Sequence, residues 1–407
     1  MDNRIQCCIA GGGPAGMMLG VLLARAGVSV VVLEKHKDFL RDFRGDTIHP
    51  STMQVMHELG WLEEFLRLPH QRVHRLRAQF GSGGLALADF SHLKAQAPFI
   101  AMMPQWDFLA FLAAKGRQYP NFTLQMEMEA TDLVMHGDRV MGVIAKGPSG
   151  RKEFTADIVV AADGRGSTLR ERAGLIPEDF GVPMDVLWFR LPRNRDDTDE
   201  TQGRFDAGRI FIMLNRGDYW QCAFVIPKGA NEQVRSQGLA AFQTSVGALL
   251  PIDAARAQAI TDWEQVKLLT VKVDRLKTWA RPGFLCIGDA AHAMSPVGGV
   301  GINLAIQDAV AAANALAEPL RDNRLTFADV EKVQARRDFP TRMTQRLQLA
   351  MQNAIIGPAL ASTGTLKAPL ALRIIANTPF LNRLPARLMG LGVRPEHVAG
   401  FIRDGRG

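Results

Sequence analysis

The chain opens on a pattern that few folds accommodate: an uncharged run, Ile5 to Ala10, leads directly into Gly11-Gly12-Gly13-Pro14-Ala15-Gly16. The run predicts a strand buried on both faces, as in a parallel sheet. Met17 to Arg25 is rich in helix formers, Gly27 closes that helix, and Val28 to Leu33 reads as a second strand ending at Glu34 and Lys35. A strand, a glycine turn and a helix of this spacing make a βαβ unit that binds a dinucleotide. Gly11 permits the tight turn, Gly13 lets backbone approach a pyrophosphate, and Gly16 lets the helix lie close on the sheet. Pro14 and Ala15 open the helix, whose first N–H groups and partial positive charge suit an anion. Glu34 follows Gly13 by 21 residues, where an acid accepts hydrogen bonds from an adenosine ribose.

Two further apolar strands carry their own turns. Ile158 to Ala162 runs into Asp163-Gly164-Arg165-Gly166-Ser167-Thr168-Leu169-Arg170, and Gly283 to Ile287 runs into Gly288-Asp289-Ala290-Ala291-His292. Shortly after comes Pro296-Val297-Gly298-Gly299-Val300-Gly301-Ile302-Asn303, opening a helix that continues through Ala305, Asp308 and Ala309. Its small residues let backbone meet a flat ring, and its first-turn N–H groups are unpaired donors suited to negative charge.

Over roughly residues 1 to 320, these ordered motifs resemble the FAD-dependent aromatic-ring monooxygenases, the para-hydroxybenzoate hydroxylase and ubiquinone-biosynthesis hydroxylase type. The resemblance implies bound FAD, NADH or NADPH as electron donor and O2 as co-substrate, with a flavin C4a-hydroperoxide passing one oxygen to an aromatic or quinone-like small molecule. It also implies that Asp289 bonds the ribityl chain, that Asp163 and Gly164 lie near the pyrophosphate, and that Arg44 and Gln105 touch FAD. His292 follows the ribityl-binding acid and is expected to be structural. His49 and Asp46, on the loop after Arg44, are weak catalytic candidates.

The implied fold is α/β: a discontinuous Rossmann-like FAD-binding domain with an inserted, mainly antiparallel substrate sheet and a helical C-terminal region. The expected pieces are FAD-binding segments at 1–70, 101–180 and 276–320, a substrate-layer hairpin at 71–100, a substrate sheet at 181–275 and helices over 321–407. Within them, helices are expected from Thr52 to Leu66, Trp106 to Arg117 and Gln233 to Leu249, and a strand from Leu268 to Val273. The C-terminal helices are expected to join at Pro340, Pro358, Pro369 and Pro379. Trp188, Phe189, Arg190, Phe211, Met213, Trp220 and Phe224 alternate along the inserted strands and are the candidate substrate wall, with plain core the competing reading.

Composition narrows the alternatives. The formal charge of +7 is uneven: residues 331–407 hold 12 Lys and Arg against 4 Asp and Glu, so the remainder is nearly neutral. No zinc pattern, RNA-binding motif or concentrated basic run accompanies this excess, so nucleic acid is not an expected partner. A solvated basic face is expected there, with peripheral membrane contact the competing reading. No leader or membrane span is predicted, and the four cysteines show neither CxxC nor metal spacing, which suits a reducing cytoplasm. No metal is expected. A halogenase shares this fold, but Trp220 to Pro227 lacks the Trp-x-Trp-x-Ile-Pro element of those enzymes. A flavin-dependent reductase and a non-catalytic flavin carrier remain as alternatives.

Overall fold

Ile5–Ala10 and Val30–Leu33 lie side by side in parallel, and Gly150–Ala161 runs parallel on the other flank of the first strand. The computed structural model that shows this describes residues 4–40, 47–81, 83–198, 200–364, 366–378 and 380–405. Phe284–Cys286 adds a further parallel strand beyond Gly150–Ala161, and Phe122–Gln125 one beyond Val30–Leu33. Every residue of Val30–Leu33 and Phe284–Cys286 is buried, which is why the sequence there is apolar without alternation. Glu129–His136 and Arg139–Gly147 extend Gly150–Ala161 as an antiparallel meander. Pro14–Arg25 and Gly301–Arg321 cover this sheet, and their buried faces join its strands in one core.

The inserted segments form a second, seven-stranded sheet. Met184–Pro192, Tyr219–Pro227, Arg209–Asn215 and Gln202–Asp206 are antiparallel neighbours, and the hairpin of Arg75–Phe80 and Gly83–Asp89 joins alongside Gln202–Asp206. Both faces are covered. Leu239–Gly247 packs on one face, while Val297 and the Gly357–Ala361 turn lie on the other.

Several element boundaries differ from those expected. The helix expected from Thr52 to Leu66 is two, Pro50–Glu58 and Leu62–Phe65, because Gly60 between them sits at φ +76°. Gly238, at φ +87°, likewise splits the expected Gln233 to Leu249 helix into Asn231–Ser236 and Leu239–Gly247. The strand expected from Leu268 to Val273 shortens to Lys267–Leu269. Pro340 is not a joint: Phe327–Met351 is one helix running through it, started by a capping box in which Thr326 and Asp329 serve each other's backbone. An interior proline costs about 3 kcal/mol, and buried Arg337, Thr341, Gln345 and Gln348 on the same helix hold it in place. Pro358 and Pro369 do open helices, whereas Pro379 lies outside the described residues. Among the described residues one helical stretch, 297–321, is long and apolar enough to cross a membrane, but most of it is buried as the core helix over the first sheet.

Candidate functional site

The three separated turns meet. A Cβ placed on Gly11, whose φ is +106°, would stand 2.3 Å from the Ala162 carbonyl oxygen, immediately before Asp163. One on Gly288 would stand 3.1 Å from Ala15. One on Gly16 would lie 2.0 Å from the Gly11 oxygen, so only glycine permits this approach of helix to turn. Gly13 is the opposite case: among the described residues, nothing but its chain neighbours lies within 4 Å of where its Cβ would be, and none of their side chains caps the helix it precedes. Open space in front of unpaired N–H groups is what a pyrophosphate needs. Glu34 is buried, accepting from Gly12 N at 3.0 Å and from His36 N at 3.0 Å, which sets its carboxylate against the glycine turn. Lys35 is exposed beside it.

The Asp163 turn is braced from within. Its carboxylate accepts from the Ser167 hydroxyl and from Leu169 N, so it helps start the Thr168–Arg172 helix. Burial raises its pKa, against those hydrogen bonds and nearby Arg170. Gly164, at φ +89°, has nothing within 4 Å of its Cβ position. Arg170 reaches across to the next turn and donates to the Ala290 carbonyl at 3.0 Å and the Arg165 carbonyl at 2.8 Å. Arg165 in turn donates to Asp289 at 3.0 Å, both side chains one-third exposed. Asp289 therefore does not cap its own turn, where Ile287 holds the cap position, and its carboxylate stands at the surface of the junction.

Behind that turn, Asp308 accepts from Gly288 N at 3.0 Å and from His292 Nε2 at 2.6 Å, and Arg337 closes its other oxygen at 2.9 Å. Burial alone would raise the Asp308 pKa, but the charges and hydrogen bonds of His292 and Arg337 hold it below the usual carboxylate range. His292 sits in this buried network as the structural histidine expected. Asp308 carries a sequence signal of this role, a lone charge between Ile306 and Ala309 on an otherwise apolar helix stripe, whereas Arg337, between Arg336 and Asp338, carries none.

The 296–301 turn is held from several sides. Gly298 and Gly299 have φ of +79° and +63°. Thr47 donates to the Gly299 carbonyl at 2.8 Å and His49 Nε2 faces the same oxygen at 3.1 Å. The Asn303 side chain accepts from the hydroxyls of Ser51 and Thr52. His49 is fully buried, its Nε2 facing the Gly299 carbonyl, and burial lowers its pKa to about 4. It is thus neutral at pH 7 and placed as a strut. Val300 caps the Gly301–Arg321 helix without a side-chain bond, so the N–H groups of Gly301, Ile302 and Asn303 begin the helix unpaired. Gln105 opens the Gln105–Gly116 helix, half-buried. Arg44 and Asp46 lie outside the described residues.

The candidate substrate residues divide between the two faces of the sheet. Phe189, Phe211, Met213, Trp220 and Phe224 are buried on the face that packs against Leu239–Gly247, where Phe242 meets Phe189 and Phe224 edge-on at 5.5 Å each. Trp220 donates its indole N–H to Asp197 at 3.0 Å. These five build the sheet's own core. The opposite face, next to Val297, carries Val186, Trp188, Ile212, Ala223 and Val225. Of the seven candidates only Trp188 and Arg190 belong to that face, and Arg190 lies over the Tyr219 ring at 4.6 Å. Both faces are apolar because both are covered, so hydrophobicity alone could not choose between them.

The residues fit FAD: a cradle that a Cβ would fill at Gly13, a buried acid, Glu34, set against the glycine turn, and unpaired N–H groups at the start of two helices. Comparisons with known proteins agree. The model of a family described as an FAD binding domain matches residues 4–346. A 6-methylpretetramide 4-monooxygenase from Streptomyces rimosus is 32% identical over 381 residues, covering 91% of this chain and 89% of that protein. The chain belongs to the FAD-dependent aromatic hydroxylase family. As a family member it is an FAD-dependent oxidoreductase of the monooxygenase class, with FAD, NAD(P)H and O2 as the implied cofactor and co-substrates. PqsL of Pseudomonas aeruginosa, a probable FAD-dependent monooxygenase, superposes with a TM-score of 0.73 at 22% identity, covering 88% of this chain and 98% of that one. The flavin-dependent halogenase CmlS superposes at 0.72 with 19% identity, covering 99% of this chain and 76% of that one, which shows a shared fold alone.

Proposed function

We propose that this protein hydroxylates an aromatic or quinone-like small molecule on the Trp188 face of the inserted sheet, drawing electrons from NADH or NADPH. The observation that carries the reading is that the 296–301 turn, whose helix start presents unpaired N–H groups, adjoins an apolar sheet face through Val297. Bound FAD would supply the redox chemistry, so that one atom of O2 enters the substrate and the other leaves as water. The chain's own part is placement and exclusion. Gly301, Ile302 and Asn303 N–H groups would stabilise negative charge on the ring edge they face. Asp289 would meet the ribityl chain, and Gly13 and Gly164 leave room for the pyrophosphate. Val186, Ile212, Ala223, Val225 and Ile356 supply the apolar wall that keeps water from the reacting centre. The Trp188 indole N–H has no acceptor among the described residues, which favours a substrate carrying an oxygen acceptor on its ring. The Streptomyces rimosus relative is named for 6-methylpretetramide, which makes that compound a first candidate to try.

The test is substrate-stimulated NAD(P)H oxidation by the FAD-loaded protein across phenols, quinolones and polycyclic phenols, with product mass followed. A gain of one oxygen atom is expected. Reduction of a double bond without O2 uptake, or FAD bound with no stimulated oxidation by any compound, would overturn the proposal.

A second reading concerns the surface of residues 367–384. Leu370, Ile374, Phe380 and Leu384 are 69%, 51%, 68% and 56% exposed, beside Lys367, Arg373 and Arg383. Apolar side chains rimmed by basic ones match an anionic lipid surface. Co-sedimentation with phosphatidylglycerol vesicles, reduced by Leu370→Ser with Phe380→Ser, is the expected result. Unchanged sedimentation removes the reading.

A further inference from the structure

Three glutamines on the 327–351 helix and its continuation face the turn that precedes Gly298. Gln345, Gln348 and Gln352 are separated by three and four residues, so they stack along one helix face, and they are 1%, 4% and 0% exposed. Gln345 Nε2 donates to the Asp274 and Ala293 carbonyls at 2.7 and 3.1 Å, while its oxygen accepts from Arg275 at 2.7 Å. Gln348 accepts from Ser295 N at 3.2 Å and donates to the Ser295 carbonyl at 3.0 Å and the Val297 carbonyl at 2.9 Å. Gln352 donates to the Ser295 hydroxyl, which also accepts from Val297 N. One amide thus pairs with Ser295 as a neighbouring strand would, and the column satisfies the rear of the turn completely at that residue.

The helix changes register at this point. Residues Gln352–Ile356 form a π-helical turn, a wider coil that frequently occurs at functional sites. Gln352 reaches Ser295, while Ile356 joins the apolar cluster of Val186, Ala223 and Val225 on the Trp188 face. The same helix supplies Arg337 to Asp308, and so to Gly288 N. A single C-terminal helix therefore braces two of the turns that the FAD-binding motifs supply, and adjoins the proposed substrate wall.

We infer that Gln348, backed by Gln352, is a positioning residue for the flavin ring: by holding the Ser295 and Val297 carbonyls it fixes the direction of the N–H groups that follow at 300–303. This rests on FAD lying against the 296–303 turn, as proposed above. Gln334 offers an internal control. It sits on the same helix and is paired as fully, donating to the Lys277 carbonyl at 2.7 Å and accepting from Trp279 N at 2.9 Å, but it braces a segment that carries none of the turns.

The test compares Gln348→Leu, Gln348→Glu and Gln334→Leu as FAD-loaded proteins, by FAD dissociation constant, flavin reduction potential and melting temperature. Gln348→Leu is expected to weaken FAD binding about tenfold, the scale of losing one or two buried hydrogen bonds, and to shift the potential negative. Gln348→Glu keeps the acceptor for Ser295 N but loses both donors, so the same direction is expected without a change of side-chain length. Gln334→Leu is expected to lower the melting temperature with both flavin readouts unchanged. If the Gln348 variants lower only the melting temperature, or if Gln334→Leu moves the flavin readouts equally, the positioning role is overturned. Gly301→Ala separates this from the reading beneath it: among the described residues, no atom beyond its own turn of chain lies within 4 Å of its Cβ position, so a flavin there must respond. A bound-flavin absorption spectrum unaltered by Gly301→Ala sinks the placement of FAD itself; an altered one with silent Gln348 variants sinks the positioning role alone.

Discussion

The two glycine turns that face the site reach their shapes by opposite means. The first, residues 11–16, is shaped by steric exclusion: Gly11 against the Ala162 carbonyl, Gly16 against the Gly11 carbonyl, and Gly12 against the Glu34 side chain. The second, residues 296–301, is held by side chains distant in sequence: Thr47 and His49 in front, Gln348 and Gln352 behind, and Met389 beside Gly298. A turn shaped by exclusion fails when atoms are added. A turn shaped by struts fails when atoms are removed, and its failures can occur far from the turn.

The largest test of this contrast removes a strut that is itself charged. Arg337→Met leaves buried Asp308 with only His292 and Gly288 N as partners and also removes an ion pair with Glu396, and breaking a buried pair in this way costs about 3–5 kcal/mol. Urea unfolding of the protein should show a loss on that scale although residue 337 touches no glycine turn directly. A loss under 1 kcal/mol would mean that the helix holds the site by packing and not by charge.

Next in size is a pH effect centred on His49. Its pKa is about 4 in the folded chain against 6.5 for a free histidine, so below pH 6.5 the unfolded chain binds a proton that the folded chain refuses. Stability from this group is therefore complete above pH 6.5 and is lost as pH falls toward 4, by up to about 3 kcal/mol. Asp308 has the same sign but acts lower, because its folded pKa lies below the ordinary 3.8. His49→Gln should flatten the stability profile between pH 6.5 and 4 while leaving the acid limb below it. A profile unchanged by the substitution would remove the strut reading of His49.

The first turn should break under the reverse operation. Gly16→Ala forces a Cβ to 2.0 Å from a carbonyl oxygen and is expected to destabilise the chain by about 1–3 kcal/mol even without FAD. Gly13→Ala has open space before it, so the FAD-free protein should keep its melting temperature while FAD binding falls sharply. Equal melting losses for the two would abolish the distinction between a packing glycine and a cradle glycine.

What was legible in the sequence follows the same division. The parallel strands, the helix at Pro14 and the three turns could be read because each is encoded in consecutive residues with a local physical cause. Helix lengths failed at Gly60 and Gly238, where a single positive-φ residue outweighed periodicity, and at Pro340, where tertiary contacts outweighed a breaker. Which face of the inserted sheet is its own core was hidden for a different reason. Alternation along 186–191 separated two faces correctly, but Phe189 and Trp188 are both apolar, and only the position of Leu239–Gly247 decides which face is core. Gln345, Gln348 and Gln352 sat in plain view at helical spacing, yet polar residues at that spacing read as a solvated face until their partners, 50 to 70 residues earlier, are in place.

The smallest effect is the sharpest probe of how the second turn shares its load. Thr47 donates to the same Gly299 carbonyl that His49 Nε2 faces, so removing the hydroxyl does not strand that oxygen. Thr47→Val keeps the side-chain volume, and Thr47 Oγ1 stands where a Gly299 Cβ would clash at 2.6 Å, so shape is preserved while one bond is lost. A net hydrogen bond is worth about 1 kcal/mol, and with His49 still in place the cost should fall at or below that. In the His49→Gln background the same change should cost more if the new amide cannot reach Gly299, because the carbonyl then loses its last partner. Additive costs in the double mutant would show that the two groups support the turn independently, and the picture of a shared strut would give way.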